Sequence, residues 1–416
     1  MTWRRLAAKI GLDTAMDEVG ADFFKGAGDG GVGSQCGVRV PNGAEAILHA
    51  TNRLLEEHQA RDDWSLLTID FANAFNSLDR GTIFNEVATH CPRVLPLVTL
   101  LYQSPTHLFH GQFKIASQTG VQQGDPLGPF LFALGIHQRI IKKVGEACPS
   151  LAFNAWFLDD GTIVGPSAEV RRALSIIEQE GAKLGLRVNL DKCELFWPTA
   201  NRAHLESGPF PAQLSRARSG VKLLGGAATL DPAFHASIFQ RRVDKAKTLM
   251  ETLHLLENPQ HELLLLRACA AGLRVQYGLR CTPPAYIAPQ VAAFDEALLE
   301  CLRVIVVAGG AGFGELQADM ACLPLDRGGL GVARASLLAK FSYVASLSSS
   351  QDLQDLLLTS APHGLPRLPA TFLSARTDLR ALLPGTVDAS FAQPKPLSTW
   401  AKKLFFSSVR GYKKLL

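Results

Sequence analysis

The sequence lacks the cysteine spacing of a structural zinc site. No two cysteines form a Cys-x-x-Cys pair, and none lies near a closely spaced pair of histidines. Tetrahedral zinc sites need such clustered ligands. We therefore expect reduced, buried thiols, as in a cytosolic or nuclear protein. The eight cysteines are Cys36, Cys91, Cys148, Cys193, Cys269, Cys281, Cys301 and Cys322.

Long apolar runs and a large charge excess are also missing. The first residues contain no apolar stretch of signal-peptide length, and the run Leu263–Leu266 is soon followed by charged residues. The sequence thus predicts neither export nor a membrane span. A net charge of +4 permits binding to nucleic acid without requiring it.

One glycine-dense stretch, residues 26–33, could in principle cradle a phosphate. No Gly-Lys-Ser or Gly-Lys-Thr follows it, which argues against a nucleoside-triphosphatase loop. We interpret it as a flexible loop. It lies between a short predicted helix, Arg4 to Ile10, and a second one, Ala44 to Glu57, whose apolar spacing suits a surface helix.

What the sequence does contain is a chain of 416 residues with 47% hydrophobic residues, enough for two or three globular subdomains. Residues 65–70 have the apolar pattern of a buried strand that ends in an acid, Asp70. A helix headed by Asp79 and running through Val87 follows. Acids at the end of a central strand lie where α/β sheets place their chemistry.

Further along, Thr119 to Pro126 is predicted to be a turn that leads into a helix. Asp125 is a suitable N-cap and Pro126 suits the first helical position. We expect this helix to run to Val144 and to stop at Gly145.

Two adjacent acids, Asp159 and Asp160, are flanked by apolar runs within residues 155–164. Asp-Asp-Gly between β-prone segments predicts a tight hairpin with both carboxylates at its apex. Carboxylates fixed at a rigid apex can hold metal ions, although such a tip can also be merely solvated.

After the hairpin, Ser167 is predicted to cap a helix that ends at Gly185. Its inward-facing stripe is Val170, Leu174, Ile177 and Leu184. Strands at 186–190 and 193–197 follow, which completes an α+β arrangement. A composition change at 226–233 marks a domain boundary, beyond which we expect helices at 234–256, 259–279, 288–306 and 333–348.

Three of these features occur together in a recognisable order. The segments are Leu67 to Phe75, Gly120 to Leu127, and Phe157 to Asp160. With them, the sequence resembles the reverse transcriptases, most closely those of non-LTR (LINE-like) retrotransposons, over about residues 3–345. The resemblance implies an α+β right-hand polymerase: partial fingers (1–64), palm (65–225), helical thumb (226–308), and a C-terminal helical extension with a basic tail (309–416).

The resemblance implies RNA-directed DNA synthesis from dNTPs on an RNA template and a DNA primer. Two Mg²⁺ or Mn²⁺ ions would activate the primer 3′-hydroxyl and stabilise the leaving pyrophosphate. Magnesium takes a few carboxylates together with phosphates and water. The implied ligands are Asp70, the Phe71 carbonyl, Asp159 and, ranked third, Asp160.

The same resemblance assigns roles around these acids. Phe75 would be the steric gate that excludes a ribose 2′-hydroxyl, with simple core burial as the alternative. Lys192 would protonate pyrophosphate as a general acid, or would be a solvated lysine at a strand end. Nucleotide or primer contacts are implied for Gln123, Gly124, Phe157, Arg4 and Arg5.

The predicted thumb carries a basic helix whose cations either track duplex phosphates or serve solubility. They are Arg241, Arg242, Lys245 and Lys247. We also expect shortened fingers, no endonuclease and no ribonuclease H domain. Two alternatives to RNA-directed DNA synthesis are kept. One is a non-polymerising relic that binds RNA or an RNA–DNA duplex, and the other is an RNA-directed RNA polymerase. The oligomeric state is left open.

Overall fold

The computed structural model describes residues 2–25, 33–199, 209–308, 310–359 and 364–382. Two compact units are present. Unit 1 comprises Met1–Val221 and Asp352–Pro366, and unit 2 comprises Lys222–Gln351 and Arg367–Leu416. No helix in these described ranges is long and apolar enough to cross a membrane.

The strands of the described residues form one large sheet and two hairpins. The large sheet has the strand order β1-β5-β6-β2-β7-β8. The strands are β1 Ser34–Gln35, β2 Trp64–Ile69, β3 Thr106–His110, β4 Phe113–Ser117, β5 Phe153–Phe157, β6 Asp160–Pro166, β7 Glu194–Phe196, β8 Ser215–Arg216, β9 Val221–Leu223 and β10 Gly226–Ala228.

Helices make up most of the remaining described structure. In unit 1 they are α1 Thr2–Val19, α2 Gly43–Glu57, α3 Ala74–Ser77, α4 Arg80–His90, α5 Leu95–Tyr102, α6 Gly128–Ile136, α7 Lys143–Ala147 and α8 Ser167–Lys183. Beyond them are α9 Pro232–Thr252, α10 Pro259–Leu265, α11 Gly272–Cys281, α12 Ala288–Val307, α13 Glu315–Ala321, α14 Ala335–Leu358 and α15 Ala370–Leu382.

The central strand β2 is buried almost along its whole length. It pairs antiparallel with β6 on one side, from Trp64 opposite Pro166 to Ile69 opposite Gly161, and with β7 on the other. Side chains of a strand covered on both faces are apolar in succession rather than alternating. The predicted strand at 65–70 is confirmed, and it ends at Ile69, so that Asp70 is the first residue beyond it.

Helix α8 covers the sheet with the predicted apolar stripe, since Val170, Leu174 and Ile177 are fully buried. Ser167 is not its N-cap. It is the first helical residue, and its hydroxyl bonds to Ser65 instead of to a helix amide. The predicted strand at 186–190 is also wrong: this segment forms a single antiparallel bridge between Phe71 and Val188.

The helix predicted from Pro126 to Val144 is built differently. Asp125 does not cap it, because α6 begins at Gly128 and the Asp125 carboxylate accepts from the Tyr102 hydroxyl at 2.8 Å and from the Leu127 amide. A π-helical segment, His137–Lys142, joins α6 to α7. The N-terminal helix α1 extends well past the predicted end at Ile10. The predicted glycine-rich loop lies almost wholly outside the described residues.

Unit 2 contains the predicted C-terminal helices with shifted ends. The segment predicted as one helix at 259–279 is α10, a π-helical turn Leu266–Ala270, and α11. An apolar core that includes Phe239, Val275, Phe294 and Leu298 holds α9, α11 and α12 together. The hairpin β9–β10 immediately precedes α9.

Candidate active site

The two adjacent acids lie at the turn between β5 and β6. Phe157 pairs with Asp160, so the two-residue loop consists of Leu158 and Asp159. Only Asp159 is in the loop, which corrects the expectation of both acids at the apex. Leu158 supplies the left-handed conformation with a φ of 58°. Gly161 lies inside β6, where an added Cβ would come within 2.8 Å of the Trp156 ring.

The register of the sheet brings the third acid to the same place. Ile69 pairs with Gly161, so the next residue, Asp70, lies opposite Asp160. The carbonyl of Asp70 accepts from the Asn189 amide at 2.8 Å. The side-chain Oδ1 atom of Asp70 is buried and has no hydrogen-bond partner. The nearest cation is Lys192, whose Nζ lies 4.0 Å from Oδ1, within ion-pair range but beyond hydrogen-bonding distance.

The electrostatics show that the three carboxylates interact. Burial raises the pKa of Asp159 above its ordinary value, and repulsion from Asp70 adds to the shift. For Asp160, partial burial followed by repulsion from Asp159 and Asp70 raises the pKa to about 6. Each charge disfavours ionisation of its neighbours. A cation among them would reverse this effect.

These residues fit a divalent metal ion. An orphaned carboxylate oxygen on Asp70 and mutually repelling acids are the donor set that hard cations prefer. The β-bridge between Phe71 and Val188 has two hydrogen bonds, from the Ala72 amide to the Arg187 carbonyl and from the Asn189 amide to the Asp70 carbonyl. Neither bond uses the Phe71 carbonyl. In the described part of the chain, no three His, Cys, Asp or Glu side chains form a ready-made metal cage. Magnesium seldom uses one, because substrate phosphates and water complete its coordination.

Phe75 is half-buried and lies five residues after Asp70 in the sequence. Its ring stacks on Phe132, with centroids 4.6 Å apart and planes at 11°. The Phe75 carbonyl accepts from the Val121 amide at 2.7 Å, which ties α3 to the start of the Gln123–Gly124 turn. The stacking on Phe132 orients the ring, and part of the side chain stays accessible.

The turn at Gln123 and Gly124 is exposed, and Gly124 has a φ of 84°. Buried Arg80 holds the segment that leads to it. Its guanidinium donates to the carbonyls of Gly120 at 3.0 Å, Tyr102 at 3.2 Å and Thr119 at 3.3 Å. The sequence analysis missed Arg80, because an arginine in the first turn of a helix is ordinarily solvent-exposed.

Of the two N-terminal arginines, Arg4 is tied to this turn and Arg5 is exposed. Arg4 lies 3.4 Å from the carboxylate of Asp125, directly after Gly124, and its guanidinium stacks over the Tyr102 ring. The structure therefore groups Arg4 with the Gln123–Gly124 turn. Phe157 is half-buried at the end of β5.

Three of the four predicted cations of α9, Arg241, Arg242 and Lys245, line the same cavity, whereas Lys247 lines another. Arg242 donates to the Gly225 carbonyl at 2.6 Å and stacks on Tyr277, so it braces the β9–β10 hairpin. Arg241 and Lys245 line a cavity of about 390 Å³ together with Lys222 and Arg274, and no acid lines it. Lys247 lines a different cavity, where Glu296 and Glu300 are present.

Comparison with known proteins finds a family model that matches nearly half of the chain. Residues 33–226 match the family model "Reverse transcriptase (RNA-dependent DNA polymerase)". A curated relative, the retrotransposable element SLACS 132 kDa protein of Trypanosoma brucei gambiense, is 26% identical in an alignment of 355 residues that covers 82% of this chain. The chain spans 27% of that relative's length.

Similar solved structures include two telomerases. The apo telomerase of Candida tropicalis has 14% identity and a TM-score of 0.40, with 86% of this chain and 60% of that chain covered. The Candida albicans telomerase in complex with a telomeric RNA fragment has 10% identity and a TM-score of 0.32, with 75% and 55% covered. The predicted α+β right-hand polymerase class is confirmed by the family match and the mixed sheet-and-helix structure. By this family match, residues 33–226 are a reverse transcriptase domain, and over 82% of its length the chain is similar to a retrotransposon protein.

Proposed function

We propose that this chain catalyses RNA-directed DNA synthesis by adding dNTPs to the 3′-hydroxyl of a DNA primer annealed to an RNA template. The observation that carries the proposal is the acid cluster of Asp70, Asp159 and Asp160 within the matched domain. Mutually repelling carboxylates at strand ends, partly withdrawn from solvent, destabilise the metal-free fold. Such an arrangement is typical of a functional site.

The residues that would hold two Mg²⁺ or Mn²⁺ ions are Asp70, Asp159, Asp160 and the Phe71 carbonyl. When bound, such ions lower the pKa of the attacking hydroxyl and neutralise charge that develops on the phosphates. The chain's own contribution is to hold its carboxylates at fixed strand ends and to brace the end of β2 through Trp156, which packs on Phe71. The ring of Trp156 stacks near Phe71 with centroids 5.9 Å apart.

Lys192 is our candidate for the proton donor to the leaving pyrophosphate. Its exposed ammonium group lies 4.0 Å from Asp70 Oδ1, which keeps it beside the acids without burying it. The proton would move from Nζ to a pyrophosphate oxygen as the phosphorus–oxygen bond breaks. In the absence of substrate the same ion pair offsets part of the negative charge of Asp70.

Phe75 is our candidate for selecting deoxyribonucleotides. Stacking on Phe132 fixes the ring, so it cannot move aside for a ribose 2′-hydroxyl. Exclusion of a competing substrate by a fixed clash is a common source of specificity. We assign Gln123, Gly124, Arg4, Arg5 and Phe157 to nucleotide or primer contact.

We assign duplex binding to unit 2. Lys222, Arg241, Lys245 and Arg274 surround a cavity without an acid, which favours phosphate groups. Contacts of this kind carry affinity and no sequence information. By this assignment residues 1–64 are fingers, 65–225 palm, 226–308 thumb and 309–416 an extension. The free cysteines support an intracellular site of action.

Primer extension on an RNA template with dNTPs and Mg²⁺ tests the proposal. The wild-type chain should extend the primer, and Asp70→Asn should abolish extension, because the amide removes a ligand charge at unchanged size. Asp352→Asn, at an exposed position of the same unit, is the matched control and should extend normally. Equal activity of Asp70→Asn and wild type would exclude this site.

The same assay separates DNA synthesis from RNA synthesis. If Phe75 is the gate, Phe75→Ala should gain the use of rNTPs while it keeps some use of dNTPs. Preference of the wild-type chain for rNTPs would instead favour an RNA-directed RNA polymerase.

A further inference from the structure

The apex of the acid hairpin is held by a residue that lies far away in the sequence. Leu158 has a left-handed backbone conformation, which residues other than glycine and asparagine adopt only at a cost in free energy. Such a conformation persists where the surroundings impose it. The question is which group imposes it here.

Gln35 contacts both backbone polar groups of Leu158. Its Nε2 donates to the Leu158 carbonyl at 2.9 Å, and its Oε1 accepts from the Leu158 amide at 2.7 Å. The same Oε1 accepts from the Gly37 amide at 3.0 Å, so the side-chain amide is itself fixed. Gln35 is fully buried. The β5–β6 ladder ends at the Phe157–Asp160 pair, so a side chain rather than a ladder bond satisfies the Leu158 peptide.

The backbone around Gln35 is shaped for this contact. Strand β1 pairs parallel with β5, with Gln35 opposite Trp156, and the Cys36 amide bonds to the Trp156 carbonyl at 2.6 Å. A Cβ on Gly37 would lie 2.6 Å from the Leu158 amide nitrogen. Glycine at this position therefore permits the close approach of the two segments.

We propose that Gln35 is a positioning residue, which fixes the Leu158 peptide and thereby aims the Asp159 carboxylate at the reacting groups. The inference rests on the proposed polymerase function. It requires a side chain with one donor and one acceptor at the reach of glutamine. Asparagine is one methylene shorter, and glutamate lacks the donor to the Leu158 carbonyl.

Gln35→Met is the direct test, because methionine keeps the length and the burial but makes neither hydrogen bond. In this variant the Leu158 amide should exchange its hydrogen about tenfold faster than in wild type, because its hydrogen bond is lost. Hydrogen exchange of the peptide that contains Leu158 measures this rate. Turnover in single-nucleotide extension should fall by about tenfold to a hundredfold, since misplacement of a reacting group by an ångström can cost that much. The affinity for primer–template should stay unchanged.

Mn²⁺ alone, followed by electron paramagnetic resonance, gives a readout independent of turnover. Gln35→Met should bind Mn²⁺ about tenfold more weakly, as is typical when a residue that orients a metal ligand is removed. Gln59→Met, at an exposed position, is the matched control and should behave as wild type in every assay.

The outcomes are separable. Wild-type exchange at Leu158, or turnover within twofold of wild type, would overturn the role of Gln35. If Gln35→Met does not fold, Gln35→Glu replaces it, and the carboxylate facing the Leu158 carbonyl should give the same loss of turnover and of Mn²⁺ affinity. If the wild-type chain does not extend a primer, the polymerase proposal fails, while exchange and Mn²⁺ binding still decide whether Gln35 fixes the apex.

Discussion

Two hairpins of this chain, β5–β6 and β9–β10, have the same kind of apex and opposite chemical surroundings. Each places a leucine in the left-handed region, Leu158 with a φ of 58° and Leu224 with a φ of 46°. Neither leucine is chosen by local turn preference, which favours glycine and asparagine. Side chains from elsewhere stabilise both turns.

The supporting contacts differ in kind. The Leu158 peptide is bound on both its amide and its carbonyl by Gln35. At the second turn the Tyr277 hydroxyl donates to the Leu224 carbonyl at 2.7 Å, and Arg242 donates to the next carbonyl. The first hairpin displays acids and the second is surrounded by cations. One support can therefore aim a carboxylate, whereas the other keeps a cationic surface in place.

The largest effect is expected from Asp159→Asn in the acid hairpin. Primer extension should slow by about 10²–10³-fold, the usual cost of removing one preorganised electrostatic group. The metal-free protein should melt at a higher temperature than wild type, because burial and repulsion from Asp70 disfavour the Asp159 charge. A variant with nearly full activity, or one less stable than wild type without metal, would contradict the charged-cluster description.

Alanine at one glycine of each hairpin should separate packing from backbone strain. Gly161→Ala drives a Cβ into the Trp156 ring, and this overpacking should lower the free energy of unfolding by about 1–3 kcal/mol. Gly225→Ala introduces a side chain at a φ of 84°, at a cost of about 1–2 kcal/mol, and its Cβ would meet only the end of the flexible Arg242 side chain and the Tyr277 ring, at 3.1 Å and 3.3 Å. Urea unfolding measures both. Asparagine should be better tolerated than alanine at Gly225 and worse at Gly161, and the reverse order would refute the distinction.

A pH effect is also expected near the second hairpin. His235, buried at the start of α9, bonds to the backbone of Thr229 just after β10, and burial lowers its pKa to about 4. At pH values between about 4 and the ordinary pKa of 6.5, His235 is protonated in the unfolded chain and neutral in the folded chain. Stability should therefore fall as the pH drops below 6.5 and level off below about 4.

The measurement is the difference in unfolding free energy between wild type and His235→Gln across this pH range. Glutamine stays neutral, so the groups common to both proteins cancel and the remaining slope belongs to His235. Parallel curves would show that the histidine is not buried in its neutral form.

Local patterns in the sequence were sufficient for β2, the acid hairpin and most helices, because apolar periodicity and turn residues act over a few positions. They could not reveal Gln35, whose partner Leu158 lies 123 positions away. They also missed Arg80, which bonds to tertiary partners, and they assigned Asp125 to a helix cap although it accepts from the Tyr102 hydroxyl. Tertiary contacts likewise override the local capping preferences at Ser167 and Asp125.

The smallest expected effect concerns the cations near the second hairpin. If Arg241 binds a duplex phosphate, Arg241→Ala should weaken primer–template binding uniformly across sequences and should lower the slope of log affinity against log salt by about one. Lys247→Ala is the matched control on the same helix. Its side chain lines the cavity that contains Glu296 and Glu300, so the salt slope should not change. An equal change in both variants would mean that α9 contributes only diffuse charge, and an unchanged slope for Arg241→Ala would remove the acid-free cavity from the duplex path.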